Sequence, residues 1–314
     1  TSTDWGAFPG SDSLMPDHQS AEWVIERLQR TYDKPFFLGV GFLRPHVPWY
    51  VPPKWFDMHP LEGIRVAPYK AVDLDAVPPV ALSINDLPMM PSTEWAIKSG
   101  EWKAITQAYL ACISFVDHQI GRVLEALENS AYASNTVIVL WSDHGYRLGE
   151  KGTFAKHALW EPATNAPLIF AAPGLPEGKV IDTPAEMLSV YPTLLDICGL
   201  PAYGRNEGKS LVSAMHTEKG DEGAYALTTF GRNNHGIKSG GYRYIRYEDG
   251  GEELYDHRSD PDEWTNLAGQ AGYTEVIEAM KRYLPKENAD WDPLSSYTFQ
   301  PYFVNQKAGQ TAVD

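Results

Sequence analysis

The sequence contains three short runs in which almost every residue is apolar, and these runs constrain the fold more than any other feature. They are Phe36–Val40, Val137–Trp141 and Pro167–Ala172. Each has the length of a β-strand and falls far short of the ~20 residues that a helix needs to cross a membrane. Strands that are apolar on both faces are typical of a parallel sheet covered by helices. We therefore interpret the runs, the first two extended to residues 35–42 and 135–141, as buried strands.

Three other segments repeat apolar residues every three or four positions, which is the period of an amphipathic helix. They are residues 18–32, 102–127 and 189–199. Asp17 is a candidate N-cap for the first helix, and Gly199 is suited to end the third. The alternation of helices with apolar strands predicts the α/β class, with a mostly parallel sheet flanked by helices.

The pattern changes near residue 215, where short strand-like runs are separated by glycine pairs. These runs are Tyr225–Phe230, His235–Lys238, Tyr242–Tyr247 and Glu252–Asp256. They predict a small antiparallel sheet with a turn at Asp249–Gly251, followed by one helix over Tyr273–Leu284. We predict a partial α/β domain over residues 1–215, and a C-terminal subdomain and tail over residues 216–314.

The charge and the cysteine content exclude some classes of partner. The 314 residues carry a net charge of −15, which argues against a nucleic acid partner because phosphate contacts need clustered Lys and Arg. Salt screens charge repulsion beyond ~8 Å, so a locally basic pocket can still bind an anion. Cys112 and Cys198 offer no disulfide framework, and we expect both to be buried.

Residues suited to binding a metal or an anion follow the ends of two predicted strands. Asp143 and His144 follow the central strand directly, and His46 lies in a proline-rich loop after another strand. Ligands of open α/β sheets bind at the carboxyl ends of the strands. A carboxylate beside an imidazole could bind a metal, and Lys156, one loop later, could neutralise an anionic substrate. Taken singly, each residue also has a structural explanation.

Four longer motifs include or flank these residues: 14–20, 36–48, 141–156 and 253–267. Their order and spacing resemble those of the type I sulfatases of the alkaline phosphatase superfamily, and most of all the branch similar to iduronate 2-sulfatase. The resemblance covers about residues 14–270 and corresponds to the C-terminal portion of such an enzyme.

The resemblance implies that the complete enzyme is a sulfuric ester hydrolase acting on a sulfate ester, with a sulfated sugar as the expected substrate. It implies a divalent cation, usually Ca²⁺, with Asp143 and His144 at two ligand positions. His46 and Lys156 match residues that bind the sulfate group and assist departure of the alcohol, so both are expected to be catalytic and substrate-binding. Because Ca²⁺ prefers oxygen ligands, His144 could contact the substrate instead. Lys151 stands where relatives commonly have His, which puts the recognition of the leaving group in question.

Two elements of the family pattern do not occur in these 314 residues. Neither Cys112 nor Cys198 begins a Cys-x-Pro-x-Arg or Cys-x-Ala-x-Arg motif, which is the source of the formylglycine nucleophile, and no serine does. An adjacent Asp-Asp pair, which supplies further metal ligands in the family, is also lacking. Because both elements normally lie upstream, we expect the formylglycine in an N-terminal part that precedes this chain. We predict that the chain carries half of the active site and is inactive alone.

Two other interpretations stay open. The chain could be a non-catalytic remnant that binds sulfated glycans or a protein partner, which depends on whether a nucleophile-bearing segment precedes Thr1 in the gene. It could also belong to a phosphohydrolase of the same superfamily. Relative rates on an aryl sulfate and an aryl phosphate would distinguish that case from a sulfatase.

The sulfatase interpretation makes a geometric prediction. The side chains of His46, Asp143, His144 and Lys156 should converge at the carboxyl edge of the sheet. Groups that touch one sulfate and one cation should have their functional atoms within ~10 Å of one another, because preorganised charges act at short range.

Two further residues and one surface are candidates for contacts with partners. Arg232 and His235, from the C-terminal subdomain, could touch the sugar. The apolar strands 36–42 and 137–141 would leave an exposed sheet edge if part of the sheet is supplied from elsewhere. Such an edge predicts self-association or a companion chain.

Overall fold

A computed structural model of the protein describes residues 3–217, 223–290 and 292. In chain order the described helices and strands are β1 (Trp5–Ala7), α1 (Pro16–Leu28), β2 (Trp49–Val51), α2 (Pro53–Asp57), α3 (Pro79–Asn85), α4 (Thr93–Ser99), α5 (Trp102–Glu128), β3 (Ile138–Trp141), α6 (Glu161–Thr164), β4 (Leu168–Ala171), α7 (Val190–Ile197), α8 (Val212–His216), β5 (Tyr225–Thr229), β6 (His235–Ser239), β7 (Tyr242–Arg246), β8 (Glu252–Asp256) and α9 (Thr274–Lys281). Among the described residues, no helix combines the length and the hydrophobicity needed to cross a membrane.

The chain folds into two compact units, each built from two stretches of sequence. The first unit comprises Thr1–Ala67 and Pro88–Thr136, and the second comprises Pro68–Leu87 and Val137–Asp314. Residue 215 lies inside the second unit, so it does not divide the compact units. As the boundary between an α/β domain and a C-terminal subdomain, it stays a prediction.

Helices α1 and α5 form the centre of the first unit. Val24 and Leu28 of α1 are buried, as are Ile105, Cys112 and Phe115 of α5, and the two helices pack on each other. Burying these two apolar stripes against each other removes them from water, which is the main driving force for helix packing. The long helix predicted from its periodicity is confirmed as α5.

The start of α1 differs from the prediction. Met15 occupies the N-cap position, and Asp17 is a buried residue of the first turn. The Asp17 carboxylate accepts the backbone N–H groups of Leu43 and Arg44, the latter at 3.1 Å. Asp17 therefore stabilises a neighbouring loop and does not cap the helix.

The predicted strand over residues 35–42 is wrong. The structure assigns no strand to this segment, and the Phe37 side chain is 87% exposed. A strand forms when neighbouring strands satisfy its backbone N–H and C=O groups, and no described residue pairs with this segment. Instead, β1 and β2 form a parallel pair, with Trp5 opposite Trp49.

In the second unit, β3 and β4 correspond to the other two apolar runs. They pair with each other in antiparallel fashion, with Ile138 opposite Ala171, which corrects the expectation that these two run parallel. Trp141 and Ile169 are each about half exposed, at 52% and 54%. Both strands are apolar in composition, yet the described residues cover these two side chains only in part.

The C-terminal sheet agrees with its prediction. Strands β5 to β8 form an antiparallel meander in sequence order, and residues 249–251 form the turn before β8. Ile237, Tyr244 and Leu254 of this sheet pack against Ile277 and Met280 of α9. The α/β class, with parallel pairing, flanking helices and a small antiparallel sheet, is confirmed.

Two smaller expectations concern the cysteines and the tail. Cys112 is buried as expected, whereas Cys198 is exposed at the C-cap of α7, just before Gly199. Gly199 has a φ of +63°, the left-handed conformation that commonly ends a helix. The predicted C-terminal tail beyond residue 292 lies outside the described residues.

Candidate active site

A cavity of about 1260 Å³ lies in the second unit, next to the loop that follows β3. Asp143, His144 and Lys156 all line it, together with Glu161 and Lys238. Residues of β4 and β5 supply an apolar part of its wall. The fold therefore brings three of the predicted site residues to one cavity.

Asp143 and His144 form a pair on the wall of this cavity. The Asp143 side chain is 82% exposed, and its Oδ2 lies 3.6 Å from Nε2 of His144. Nδ1 of His144 lies 2.7 Å from the carbonyl oxygen of Gly145. A carbonyl only accepts hydrogen bonds, so Nδ1 carries the proton. In the neutral ring, Nε2 then has a lone pair available to a metal or a substrate.

Gly145 allows the turn after β3 to approach α6 closely. Its N–H donates to the carbonyl of Ala163 at 2.9 Å. A Cβ atom at this position would lie 2.2 Å from the carbonyl oxygen of Pro162 and 2.6 Å from that of Asn165. Only glycine fits here without moving the backbone, so Gly145 fixes where Asp143 and His144 project.

Lys156 and His157 come from the next loop. Lys156 is half-buried and lines the cavity. Burial, with the positive charges of Lys156 and Arg147, lowers the pKa of His157 to about 4. His157 is therefore neutral at pH 7, and Lys156 carries the positive charge of this loop into the cavity.

Lys151, the residue that replaces a common His of relatives, does not line the cavity. Its ammonium group is buried and forms an ion pair with Asp73 at 2.9 Å. It also donates to the carbonyl of Glu263 and lies over the rings of Trp160 and Tyr255. The position of Lys151 in this chain is explained by packing of the second unit.

A network of charges that the sequence analysis did not identify lies beside the cavity. Glu161 forms ion pairs with Lys238 and Arg243, and Arg243 also pairs with Glu263 at 2.8 Å. Burial alone would raise the pKa of Glu161, but Arg243 and Lys238 lower it overall. Glu161 lies 77 to 102 positions from Lys238, Arg243 and Glu263, so no local pattern could have linked it to them.

Glu161, His257 and Glu263 offer three donor atoms within 4.8 Å of one another, a spacing that could hold a metal ion. However, His257 Nε2 and Arg243 Nε both lie 2.8 Å from Oε1 of Glu263. Arg243 and Lys238 already neutralise the carboxylates, and a cation added there would be repelled by them. We interpret this cluster as a structural ion network.

His46 belongs to the first unit. Its Nδ1 lies 2.7 Å from the carbonyl oxygen of Val47, so Nδ1 carries the proton and Nε2 is available, as in His144. Arg44 holds the loop by donating to the carbonyls of His46 and Tyr50, each at 3.0 Å. The position of His46 relative to Asp143 stays a prediction.

Arg232 and His235 do not line the cavity. His235 is buried, with Nδ1 2.9 Å from the Thr229 hydroxyl and Nε2 2.6 Å from Oδ1 of Asn288. Arg232 forms an ion pair with Asp290 at 2.6 Å. In this structure both residues have protein partners, and their contact with a sugar stays a prediction.

The donor atoms of Asp143 and His144 can be compared with the ligands that the predicted divalent cation needs. Asp143 Oδ2 and His144 Nε2 are close enough to contact one ion. Ca²⁺ takes about six to eight oxygen ligands, so one carboxylate and one imidazole supply only part of a calcium site.

Two known family models match parts of this chain. A family model described as Sulfatase matches residues 11–200, and one described as N-sulphoglucosamine sulphohydrolase, C-terminal, matches residues 149–290. The first match covers more than half of the chain. The chain therefore belongs to the sulfatase family, and it is a type I sulfatase sequence.

Two relatives show how much of such a protein the chain represents. A sulfatase of Formosa agariphila is 67% identical over 307 residues, which cover 98% of this chain and 61% of that protein. Iduronate 2-sulfatase of Homo sapiens is 33% identical over 255 residues, which cover 70% of this chain and 46% of that protein. The chain thus spans about three fifths and about half of these relatives, respectively.

A solved structure supports the fold. A protein in complex with its substrate, D-glucosamine-2-N,6-O-disulfate, matches with a TM-score of 0.66 and 21% identity. The match covers 85% of this chain and 68% of that chain. At this identity the likeness shows a shared fold alone.

The close approach at Gly145 predicts a stability effect. Gly145→Ala should lower the free energy of unfolding by roughly 1–3 kcal/mol, because the added Cβ collides with backbone carbonyls that cannot rotate away. Gly204→Ala is a matched control, because no atom lies within 4 Å of the added Cβ. Urea denaturation of both variants provides the measurement. Equal stability of the two would show that the turn is not constrained as described.

The lowered pKa of His157 predicts a pH effect. At pH 5 an unfolded chain, with an ordinary histidine pKa near 6.5, binds a proton that folded His157 does not bind. His157 therefore reduces the stability of the fold as the pH falls from about 6.5 to about 4. The loss of stability between pH 7 and pH 5, measured by urea denaturation, should be smaller in His157→Gln. An unchanged loss would contradict the neutral, buried state of His157.

Proposed function

We propose that this chain contributes the sulfate-binding part of a sulfatase active site, and that the complete enzyme hydrolyses a sulfate ester of a sulfated sugar. The observation that carries the proposal is that Asp143, His144 and Lys156 line one cavity. A carboxylate, an imidazole with a free Nε2 and an ammonium group together suit a site that binds an anion beside a cation. The family membership fits a divalent cation and a formylglycine.

Lys156 is proposed to bind the sulfate. Its ammonium group offers up to three N–H donors and a full positive charge, and it is partly screened from water by the cavity wall. Charge that develops on sulfate oxygens in the transition state is stabilised by a cation already in place. Lys156 is thus assigned to substrate binding and to catalysis.

His46 is proposed to act at the same sulfate group. Its Nδ1–H···O=C bond to Val47 fixes the ring orientation and leaves Nε2 available. In the protonated ring Nε2 donates to a sulfate oxygen or to the departing alcohol oxygen. This role requires His46 to reach the cavity lined by Lys156.

Asp143 and His144 are proposed as ligands of a divalent cation, with Ca²⁺ as the expected ion. When bound, such a cation would offset the negative charge of the sulfate oxygens, and the formylglycine hydrate would supply the oxygen that attacks sulfur. The high exposure of Asp143 leaves its carboxylate accessible to an ion, and Gly145 fixes its direction. In this proposal the formylglycine and the other metal carboxylates come from residues outside this chain.

A sulfated sugar is the proposed substrate class. One matching family model is described as a sulphoglucosamine sulphohydrolase, and one relative is an iduronate sulfatase.

A companion chain or self-association is proposed from the exposed apolar side chains of Trp141 and Ile169, which pack well only when another surface covers them.

The proposal predicts that the chain alone does not hydrolyse an aryl sulfate in the presence of Ca²⁺. Adding a separately produced segment from the same gene, matured to formylglycine, should give activity. In the complemented protein, Lys156→Ala should reduce kcat/KM about 10²–10³-fold, which is typical for loss of one group that stabilises developing charge. Lys98→Ala, which removes an exposed ion pair with Glu94, is the matched control and should have no effect.

Three outcomes of this assay would count against the proposal. Robust turnover by the chain alone, lost on Asp143→Asn, would contradict the division of the active site. Faster hydrolysis of an aryl phosphate than of an aryl sulfate would favour the phosphohydrolase. Sulfated glycan binding without any turnover after complementation would favour the non-catalytic remnant.

A further inference from the structure

Arg147 is a cation buried inside the second unit without a carboxylate partner. Arg147 is 0% exposed, no carboxylate in residues 3–217, 223–290 and 292 lies within 4.0 Å of it, and Glu150 attracts it from further away. Arginine is almost never fully buried unless it is paired, because removing a charge from water is costly. Burial lowers the pKa of Arg147 to about 10, so the guanidinium keeps its charge at neutral pH.

The donors of Arg147 converge on the loop that carries Lys156. Nε donates to the carbonyl of Ala155 and Nη2 to the carbonyl of His157, each at 3.2 Å. The backbone N–H of Arg147 also donates to Ala155, at 3.0 Å. The two carbonyls on either side of Lys156 are therefore held by one guanidinium group.

The guanidinium is itself fixed from the opposite side. Nη1 donates to Oδ1 of Asn85 at 2.5 Å, and Nδ2 of Asn85 donates to the carbonyl of Lys151 at 2.8 Å. The Arg147 guanidinium also lies 5.5 Å from the Trp160 ring. With its plane set by these contacts, the guanidinium cannot turn away from the loop.

We propose that Arg147 is a positioning residue, which holds the backbone on both sides of Lys156 so that the ammonium group faces the sulfate in the cavity. This inference rests on the proposed function of Lys156. Arg147 does not line the cavity and therefore acts through the loop.

Two properties of arginine suit this role. Its planar fork presents several N–H donors in fixed directions, so it bridges two carbonyls that a lysine ammonium cannot reach together. Its positive charge forms no ion pair within 4.0 Å among the described residues, and the Glu150 carboxylate attracts it only from a longer distance. Because no carboxylate competes at ion-pair distance, the N–H donors of Arg147 bind the carbonyls of the loop.

The test measures binding of inorganic sulfate to the 314-residue chain by NMR titration, with chloride at equal ionic strength as the reference. Arg147→Lys keeps the positive charge but bridges only one carbonyl. It should weaken sulfate binding about tenfold, as expected for loss of a charge-assisted contact between sulfate and Lys156. Arg258→Lys is the matched control, since Arg258 is an exposed residue paired with Asp256, and it should bind sulfate as the wild type does.

A double-mutant cycle separates positioning from a general loss of stability. Lys156→Ala should weaken sulfate binding, and adding Arg147→Lys to it should weaken binding no further, because the two residues act through one contact. Equal weakening by Arg147→Lys in both backgrounds would overturn the positioning role alone. Unchanged sulfate binding in Lys156→Ala would overturn the proposed function as well.

A second variant keeps the inference testable if Arg147→Lys does not fold. Asn85→Ala leaves Arg147 in place and removes the acceptor that fixes its plane. Circular dichroism checks the fold. Sulfate binding should weaken by about threefold, because only part of one charge-assisted contact between Lys156 and sulfate is lost. Wild-type binding by a folded Asn85→Ala variant would count against the role of Arg147.

Discussion

The second unit depends on two buried ion pairs. Arg243 and Glu263 are almost fully buried, and they hold each other at 2.8 Å. Lys151 and Asp73 form a second buried pair. Removing one partner of a buried pair typically costs about 3–5 kcal/mol, because the other charge is left uncompensated. These pairs therefore fix which segments of the unit can lie together.

The candidate site uses this scaffold. Glu161, which pairs with Arg243, lies five positions after Lys156. Arg147 holds the loop of Lys156 by donating to two of its backbone carbonyls. The turn of Asp143 is fixed by the close approach of Gly145 to α6. The proposed functional side chains, which lie on loops, thus gain defined positions from buried charges and close backbone contacts, as preorganised electrostatic binding requires.

The sequence was informative where the signal was local. The periodicity of α5, the glycine-separated strands of the C-terminal sheet and the motif around Asp143 all depend on neighbouring residues, and each was recognised. The strand expected over residues 35–42 is wrong. Apolar composition indicates that a segment is buried, but it does not identify a neighbouring strand that would pair with it. The expectation that β3 and β4 run parallel is wrong for a related reason, since apolar strands occur in both kinds of sheet.

The residues that hold the site in place were harder to predict. Arg147 lies inside a recognised motif, yet its role depends on Asn85, 62 positions away. The family resemblance relates Lys151 to recognition of the leaving group, whereas its ammonium group binds Asp73, 78 positions away. Such pairings are set by tertiary structure, and one sequence carries no local signal for them.

The most direct measurement is a crystal structure of the chain grown with inorganic sulfate, compared with the Lys156→Ala variant under the same conditions. The account predicts a sulfate ion in the cavity of the second unit, within hydrogen-bond distance of Lys156 Nζ and near Nε2 of His144, and no such ion in the variant. A sulfate bound away from Lys156, or bound equally well in both proteins, would contradict it.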